Sequence, residues 1–311
     1  MANDKIALIG AGNIGGELLN GIVRDALGDV VLLDIPTKLD FARGKAIDTQ
    51  QAAAIWGKSS RIEASSDYAS IAGARICIVT AGVPRRPGMS RDDLLAINVK
   101  IIREVAAGIK AHAPESIVVV LSNPLDAMVS EMRRSTGFEP QRVIGMAGVL
   151  DSARFSAFIA AELNVSVGDV RTLVLGGHGD TMVPCLSYCT VNGVPVRQLM
   201  NQEKLSAIVD RTRSGGGEIV ALMGTSAYVA PAVSALAMVT SILRDERRLL
   251  PCAAYLNGEY GIEGLYIGVP AILGSEGVER VVEVDLSETE KQALLRSAGA
   301  VRELVDAAAQ V

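Results

Sequence analysis

KIALIGAGNIGG, Lys5 to Gly16, decides the fold. Lys5 to Gly10 is a short apolar run of strand character, and Leu18, Leu19, Ile22 and Val23 continue beyond it at helical spacing. Between them Gly10, Gly12 and Gly15 stand in GxGxxG spacing. In that context Gly10 permits a tight turn, Gly12 lets the backbone approach a pyrophosphate, and Gly15 lets helix and strand pack closely. The helix start then offers free N–H groups and a positive dipole end to phosphates. A lone GxGxxG is weak evidence, but the next apolar run, Val30 to Leu33, ends in Asp34, nineteen residues beyond Gly15. A carboxylate there accepts the ribose hydroxyls and repels a 2′-phosphate, which selects NAD over NADP. The bland alternative for Asp34 is a turn residue before Pro36.

Outward from that unit, Arg75 to Thr80 and Ser116 to Leu121 repeat the apolar strand signal, with helical segments between them. One of these, Lys38 to Ala54, carries GKAID at 44 to 48. Alternating strands and helices predict a Rossmann-type, doubly wound parallel sheet in an α/β nucleotide-binding domain over residues 1–145. After Thr80 comes AGVPRRPGMSR, residues 81 to 91, where two glycines and two prolines make a loop. Ser90 with Asp93 forms a capping box for a long helix reaching about His112. Arg85, Arg86 and Arg91 are more positive charge than a connecting loop needs, and they suit a lid closing over an anion. Asn123 follows the strand 116–121, at the end where open parallel sheets bind ligands, and is placed to bond near a nicotinamide and the reacting oxygen. Its alternative is an Asn-Pro turn residue. His112, near a helix C-terminus, has a structural explanation in the helix dipole.

Around Gly145 the alternation loosens, and residues 146–311 read as a separate α+β substrate-binding domain. GVLDSARF, at 148–155, opens a helix with Asp151 and Arg154 three residues apart on one face. Both charges lie among Leu, Phe, Ile and Ala, where buried charges demand partners. LGGHGDTMVP, Leu175 to Pro184, presents His178 from a glycine-rich turn. Histidine passes protons in either direction near neutrality. Asp151 can take its imidazole N–H, leaving Arg154 free to hold a carboxylate in a two-point fork. A hairpin is expected from Pro184 to Val191 and from Val194 onward, turned at Asn192-Gly193. Gly215 to Gly217 are expected to interrupt the next helical region. Ser226 reads equally as a substrate contact or as a small packing residue, and the apolar stretch to Leu243 as a buried core helix. Strands at 249–256 and 265–284 precede a last helix opened by a Ser287–Glu290 capping box.

Composition narrows the classes. Hydrophobic residues are 49% of the 311 and charged residues 21%, which describes a globular chain. The net charge is −5 with no basic block, which disfavours nucleic acid. No stretch is a clean membrane-spanning helix, and MANDKIALIG carries no export signal, so a cytoplasmic location is expected. Four cysteines form no CxxC pair and no metal site is indicated, and Cys77 reads as a small hydrophobe inside a strand.

GAGNIGG, Asp34, GVPRRPGMSRDDLL, SNPLD, GVLDSARF, GGHGDTMVP and GTSAYVAPA occur in the order and spacing of the lactate and malate dehydrogenase superfamily, and the chain most closely resembles its lactate-dehydrogenase-like malate dehydrogenases. One departure is DIPTK at 34 to 38, where many relatives carry an acidic residue and glycine after the aspartate. The resemblance implies NAD-dependent, reversible oxidation of (S)-malate to oxaloacetate, a reaction of the tricarboxylic acid cycle. Lactate dehydrogenase or another 2-hydroxy acid dehydrogenase is the alternative. It implies His178 as proton donor and acceptor, Asp151 as its partner, Arg154 on the C1 carboxylate, Asn123 on the substrate oxygen and Arg91 polarising the carbonyl. Asn13, Ile14, Asn98 and Asn123 join Gly10, Gly12, Gly15 and Asp34 at the cofactor. Arg85 stands where lactate enzymes typically carry Gln, and its guanidinium pairs with the second carboxylate that oxaloacetate has and pyruvate lacks. Enclosing it unpaired would cost a few kcal/mol, or roughly 10²- to 10³-fold in selectivity. The resemblance further implies a homo-oligomer, a tetramer or alternatively a dimer. A non-catalytic NAD-binding sensor, from a different class, would be expected to have lost His178, Asp151, Arg91 or Arg154.

Overall fold

The computed structural model describes residues 3–84 and 91–311. The first half runs β1 (Lys5–Ile9), α1 (Asn13–Arg24), β2 (Asp29–Leu33), α2 (Leu39–Trp56), β3 (Ile62–Ser65), β4 (Ile76–Val79), α3 (Arg91–His112), β5 (Ile117–Val120), α4 (Leu125–Thr136) and β6 (Val143–Gly145). The second continues with α5 (Gly148–Leu163), the short strands β7 (Val170–Arg171), β8 (Val174–Leu175), β9 (Val183–Pro184), β10 (Thr190–Val191) and β11 (Val194–Pro195), then α6 (Gln202–Met223), α7 (Val229–Leu243), β12 (Arg248–Asn257), β13 (Glu263–Gly274), β14 (Gly277–Val281) and α8 (Glu288–Ala309).

Strands β3-β2-β1-β4-β5-β6 lie in that order, all parallel, which is the doubly wound arrangement expected from the glycine loop. Their near-continuous Val, Ile and Leu content follows from burial on both faces. Alternate side chains divide accordingly. Ile6, Leu8, Ile76 and Ile78 join a core with Leu18, Leu19 and Ile22 of α1 and Leu236 and Val239 of α7. Ala7, Ile9, Cys77 and Val79 face Val99 and Ile102 of α3 and Met128 and Met132 of α4. Truncating one such buried leucine or isoleucine to alanine typically costs about 2–5 kcal/mol.

The antiparallel strands β12, β13 and β14 continue this same sheet, joined to β6 through Ala253 opposite Gly145. They therefore extend the nucleotide-binding sheet and also carry the second half's helices. Two expectations are corrected. The hairpin turned at Asn192-Gly193 exists but is only β10 with β11, because Val183-Pro184 pairs instead with β8 and residues 186–188 form a helical turn. Gly215 to Gly217 do not interrupt a helix: α6 runs through them unbroken, since glycine costs a helix only about 1 kcal/mol and tertiary packing outweighs that. The capping box at α8 is formed, with Ser287 Oγ accepting from Glu290 N at 3.3 Å and Glu290 Oε2 accepting from Ser287 N at 3.0 Å. Glu290 also accepts from Ser187 N at 3.1 Å, which fixes α8 beside the loop after β9. Ser90, the expected cap of α3, lies outside the described residues.

Candidate active site

The glycine loop leaves β1 at the point where chain order reverses between β1 and β4, the crevice in which such sheets bind ligands. Gly10 adopts φ +110°, and a β-carbon there would lie 2.6 Å from Thr80 Oγ1. Gly15 packs directly against the Gly10 carbonyl oxygen, so the helix start can approach the strand only without a side chain at 15. Among the described residues, nothing lies near where a β-carbon at Gly12 would stand, and none gives α1, which Gly12 begins, a side-chain cap. The first-turn N–H groups of Asn13, which is exposed, and of Ile14, whose side chain packs on the core, thus remain for a ligand. Asp34 Oδ2 accepts from Ala11 N at 2.7 Å and Oδ1 from Ile35 N at 2.8 Å. Each oxygen keeps acceptor capacity for a hydroxyl. This open loop, helix end and acid fit a diphosphate and a ribose diol.

Lys45, in the GKAID segment, braces the loop from α2 by donating to Gly12 O at 2.7 Å. Burial pulls its pKa below the ordinary lysine value, against the attraction of Glu17 and Asp34. It lines a polar cleft of about 180 Å³ with Asn13, Asn20, Asp48, Thr49 and Tyr228. This role for Lys45 was hidden in the sequence, where a lysine on a helix resembles any solvated charge.

On the opposite side, α5 and the loop after β8 meet. Asp151 is 2% exposed and uses both oxygens: Oδ2 lies 2.8 Å from His178 Nδ1, and Oδ1 is 3.3 Å from Arg154 Nη1. Arg154, expected above to be free, is thus partly engaged. Its Nη1 also leans on Thr212 O at 3.4 Å, and among the described residues its other nitrogens make no hydrogen bond within the protein. The Asp151 contact fixes one imidazole nitrogen and leaves Nε2 for another partner. Burial lowers the His178 pKa, but the charges of Asp151 and Asp126 together with the Asp151 hydrogen bond outweigh it, and the net shift is upward.

The histidine loop is pinned along its length. Gly176 exchanges backbone bonds with Gly268 at 2.9 and 3.0 Å, Gly177 N donates to Ser297 Oγ at 2.9 Å, and His178 N donates to Asp126 Oδ2 at 2.9 Å. Asp126 and Ser297 were not singled out from sequence, although Asp126 lies inside SNPLD. A cleft of about 550 Å³ beside the loop is walled by His178, Gly177, Asn123, Asp126, Thr181 and Asp92. Asn123 stands exposed on that wall, as its place after β5 requires. Asn98 is spent inward: Oδ1 accepts from Val83 N at 2.9 Å and Nδ2 donates to Val83 O at 3.1 Å and Asn123 O at 2.7 Å. Its geometry is that of a clamp between two loops, with no side-chain donor left for a cofactor.

Ser226 is exposed between α6 and α7 and borders neither cleft. Arg85 and Arg86 lie outside the described residues, as does the side chain of Arg91, which begins α3. His112 is exposed at the end of α3. Cys77, Cys185, Cys189 and Cys252 are all buried free thiols, and burial pushes Cys77 up to about 12. No helix among the described residues is long and apolar enough to cross a membrane.

Two family models match the chain: the lactate/malate dehydrogenase NAD binding domain over residues 4–145, and the lactate/malate dehydrogenase alpha/beta C-terminal domain over residues 148–311. The malate dehydrogenase of Sorangium cellulosum is 60% identical over 307 residues, covering 98% of each chain. Among solved structures, lactate dehydrogenase of Cryptosporidium parvum, complexed with lactic acid and nicotinamide adenine dinucleotide, superposes with TM-score 0.96 at 39% identity, covering 100% of this chain and 99% of that one. Malate dehydrogenase of Salinibacter ruber superposes with TM-score 0.94 at 46% identity, covering 98% of both.

Proposed function

The chain belongs to the lactate/malate dehydrogenase family, and from that premise we propose that it interconverts (S)-malate and oxaloacetate, a couple of the tricarboxylic acid cycle, using NAD. The observation that carries the chemistry is the single buried Asp151 bridging His178 and Arg154. Residues 1–145 hold the cofactor and residues 146–311 supply the proton carrier and the carboxylate clamp.

Gly10, Gly12, Gly15 and the N–H groups of Asn13 and Ile14 would hold the diphosphate, and Asp34 would take the ribose hydroxyls. NAD supplies the hydride acceptor in malate oxidation, and NADH the donor in the reverse. Arg154 grips the C1 carboxylate with the nitrogens that Asp151 and Thr212 leave, and Arg85 pairs with the second carboxylate. Asn123 bonds the reacting oxygen. Arg91 polarises the carbonyl and opposes the negative charge that develops on that oxygen as it is reduced. In the same direction His178, protonated and held by Asp151, gives its Nε2 proton to the oxygen, while in malate oxidation it takes the hydroxyl proton. The Asp151 carboxylate offsets the imidazolium charge.

We also assign the protein to a cytoplasmic homo-oligomer, a tetramer or alternatively a dimer. Four buried thiols suit a reducing compartment. Ile47 and Ile55 on α2 and Val229 and Val233 on α7 leave large apolar side chains in solvent, and both helices border the Lys45 cleft or adjoin it. Such a face suits a second copy of the chain, and light scattering measures it.

The deciding experiment follows NADH oxidation with oxaloacetate and with pyruvate side by side. A large kcat/KM preference for oxaloacetate is expected. Preference for pyruvate overturns the substrate, and near-normal turnover by His178→Asn, in protein that still binds NADH, overturns the role of His178.

A further inference from the structure

Asp126 stands in the first turn of α4, 4% exposed, with one oxygen on the His178 backbone and the other, Oδ1, buried with no hydrogen-bond partner among the described residues. A buried carboxylate oxygen left unpaired is costly, and its retention beside a proton-carrying group needs a reason. The helix dipole favours an anion at this position. Asp126 also lies beside the α8 face that holds the same loop, because a β-carbon at Gly177 would be 3.3 Å from its Oδ2 and 3.5 Å from Ser297 Oγ.

We propose that Asp126 is a second carboxylate for His178: a positioning residue that fixes the height of the histidine loop through the backbone N–H and whose charge, with that of Asp151, sets the pH at which the imidazole gives up its proton. This rests on the reading of His178 as the proton carrier. Asp151 acts on the ring directly; Asp126 acts through the loop and through space. The two form a graded pair, since burial and Asp151 raise the Asp126 pKa to about 6, against the attraction of His178 and its N–H bond. The proton it takes below that pH belongs on Oδ1, because Oδ2 is occupied by the His178 N–H. Protonated Asp126 no longer favours imidazolium, so the two titrations are coupled.

Among the described residues, the other charged groups around this pair are few. From α5 come Asp151 and Arg154, the latter opposing protonation of the ring. Asp92 at the start of α3 and Asp180 in the loop itself border the same cleft, with Arg91 beside Asp92 in the chain. The α8 face contributes Ser297, Ala300, Val301 and Leu304, none of them charged.

The test exploits the two histidines of the chain. Imidazole signals of uniformly labelled protein with NADH bound are titrated by NMR, with His112→Gln assigning them. In wild-type protein His178 is expected to show a second inflection near pH 6. In Asp126→Asn, which keeps an acceptor for the His178 N–H, the His178 midpoint is expected to fall by about 0.5–1 pH unit. The descending limb of oxaloacetate reduction and the ascending limb of malate oxidation are both expected to move to lower pH by the same amount. Ser297→Ala, which loosens the loop without touching charge, is expected to lower kcat and leave both limbs in place. A wild-type His178 titration with one inflection, or Asp126→Asn limbs that stay put, overturns the proposal even if the variant only loses rate. Those outcomes leave the role of His178 intact, since His178→Asn tests that separately.

Discussion

Arg154 passes Gly215 at contact distance: a β-carbon on residue 215 would stand 2.5 Å from Arg154 Cδ and 2.9 Å from its Nε. The glycine sits inside α6, where alanine would favour the helix by about 1 kcal/mol. What glycine gives up in helix stability it returns as room for the guanidinium, whose remaining nitrogens are assigned to the substrate carboxylate. Gly215→Ala is therefore expected to fold at least as stably as wild type while displacing Arg154. KM for oxaloacetate should rise roughly 10- to 100-fold, about 1.4–2.7 kcal/mol of lost carboxylate binding. NADH affinity by fluorescence titration should not change. A stability loss with an unchanged KM would show that residue 215 serves the helix alone.

The same residue shows what a sequence conveys and what it withholds. Gly10, Gly12, Gly15 and Asp34 were legible because their reasons are local, a strand, a turn and a helix within thirty residues. His178, Asp151 and Arg154 were legible as a set because charges in apolar surroundings must find one another. Gly215 was misread as a helix break, since its partner is on α5, sixty-one positions earlier in sequence, and composition carries no trace of that contact. Asp126 and Ser297 escaped notice for a related reason: each acts on the backbone of the 176–181 loop, and a backbone N–H has no residue identity to read. Strands β12 to β14 showed their antiparallel character but not that they dock on β6, because one bridge at Gly145 makes the junction.

Lys45 offers a test of the cofactor loop from outside it. Its Nζ meets the Gly12 carbonyl at 2.7 Å, and a β-carbon at Gly16 would lie 2.5 Å from that nitrogen, so lysine and glycine loop are fitted to each other. Lys45→Met keeps the length of the side chain and removes the bond. Loss of a brace outside the substrate site should weaken NADH binding about 5- to 20-fold, near 1–2 kcal/mol, with kcat at saturating NADH close to wild type. Equal NADH affinity in a fluorescence titration would show that the loop holds its shape unaided.

Stability away from the site concentrates on Glu131, 3% exposed where α3 packs on α4. Oε1 accepts from Arg103 Nε at 2.8 Å and Ser135 Oγ at 2.9 Å, and Oε2 accepts from Arg134 Nη2 at 2.6 Å and Nε at 2.9 Å. An anion this buried is tolerated because every acceptor direction is used, and two of its partners are cations. Arg103 and Arg134 are 34% and 54% exposed, so water can solvate them if the acid is lost. Glu131→Gln keeps the shape and half the acceptors, and should cost about 1–3 kcal/mol; Glu131→Ala loses all four bonds and opens a cavity, and should cost about 3–5 kcal/mol. Both variants should denature at lower temperature in that order, while kcat and KM of the folded enzyme stay near wild type, since α3 and α4 meet here away from the His178 cleft. A Gln variant as stable as wild type would mean that the two arginines contribute no net stabilisation and that the site is held by packing alone.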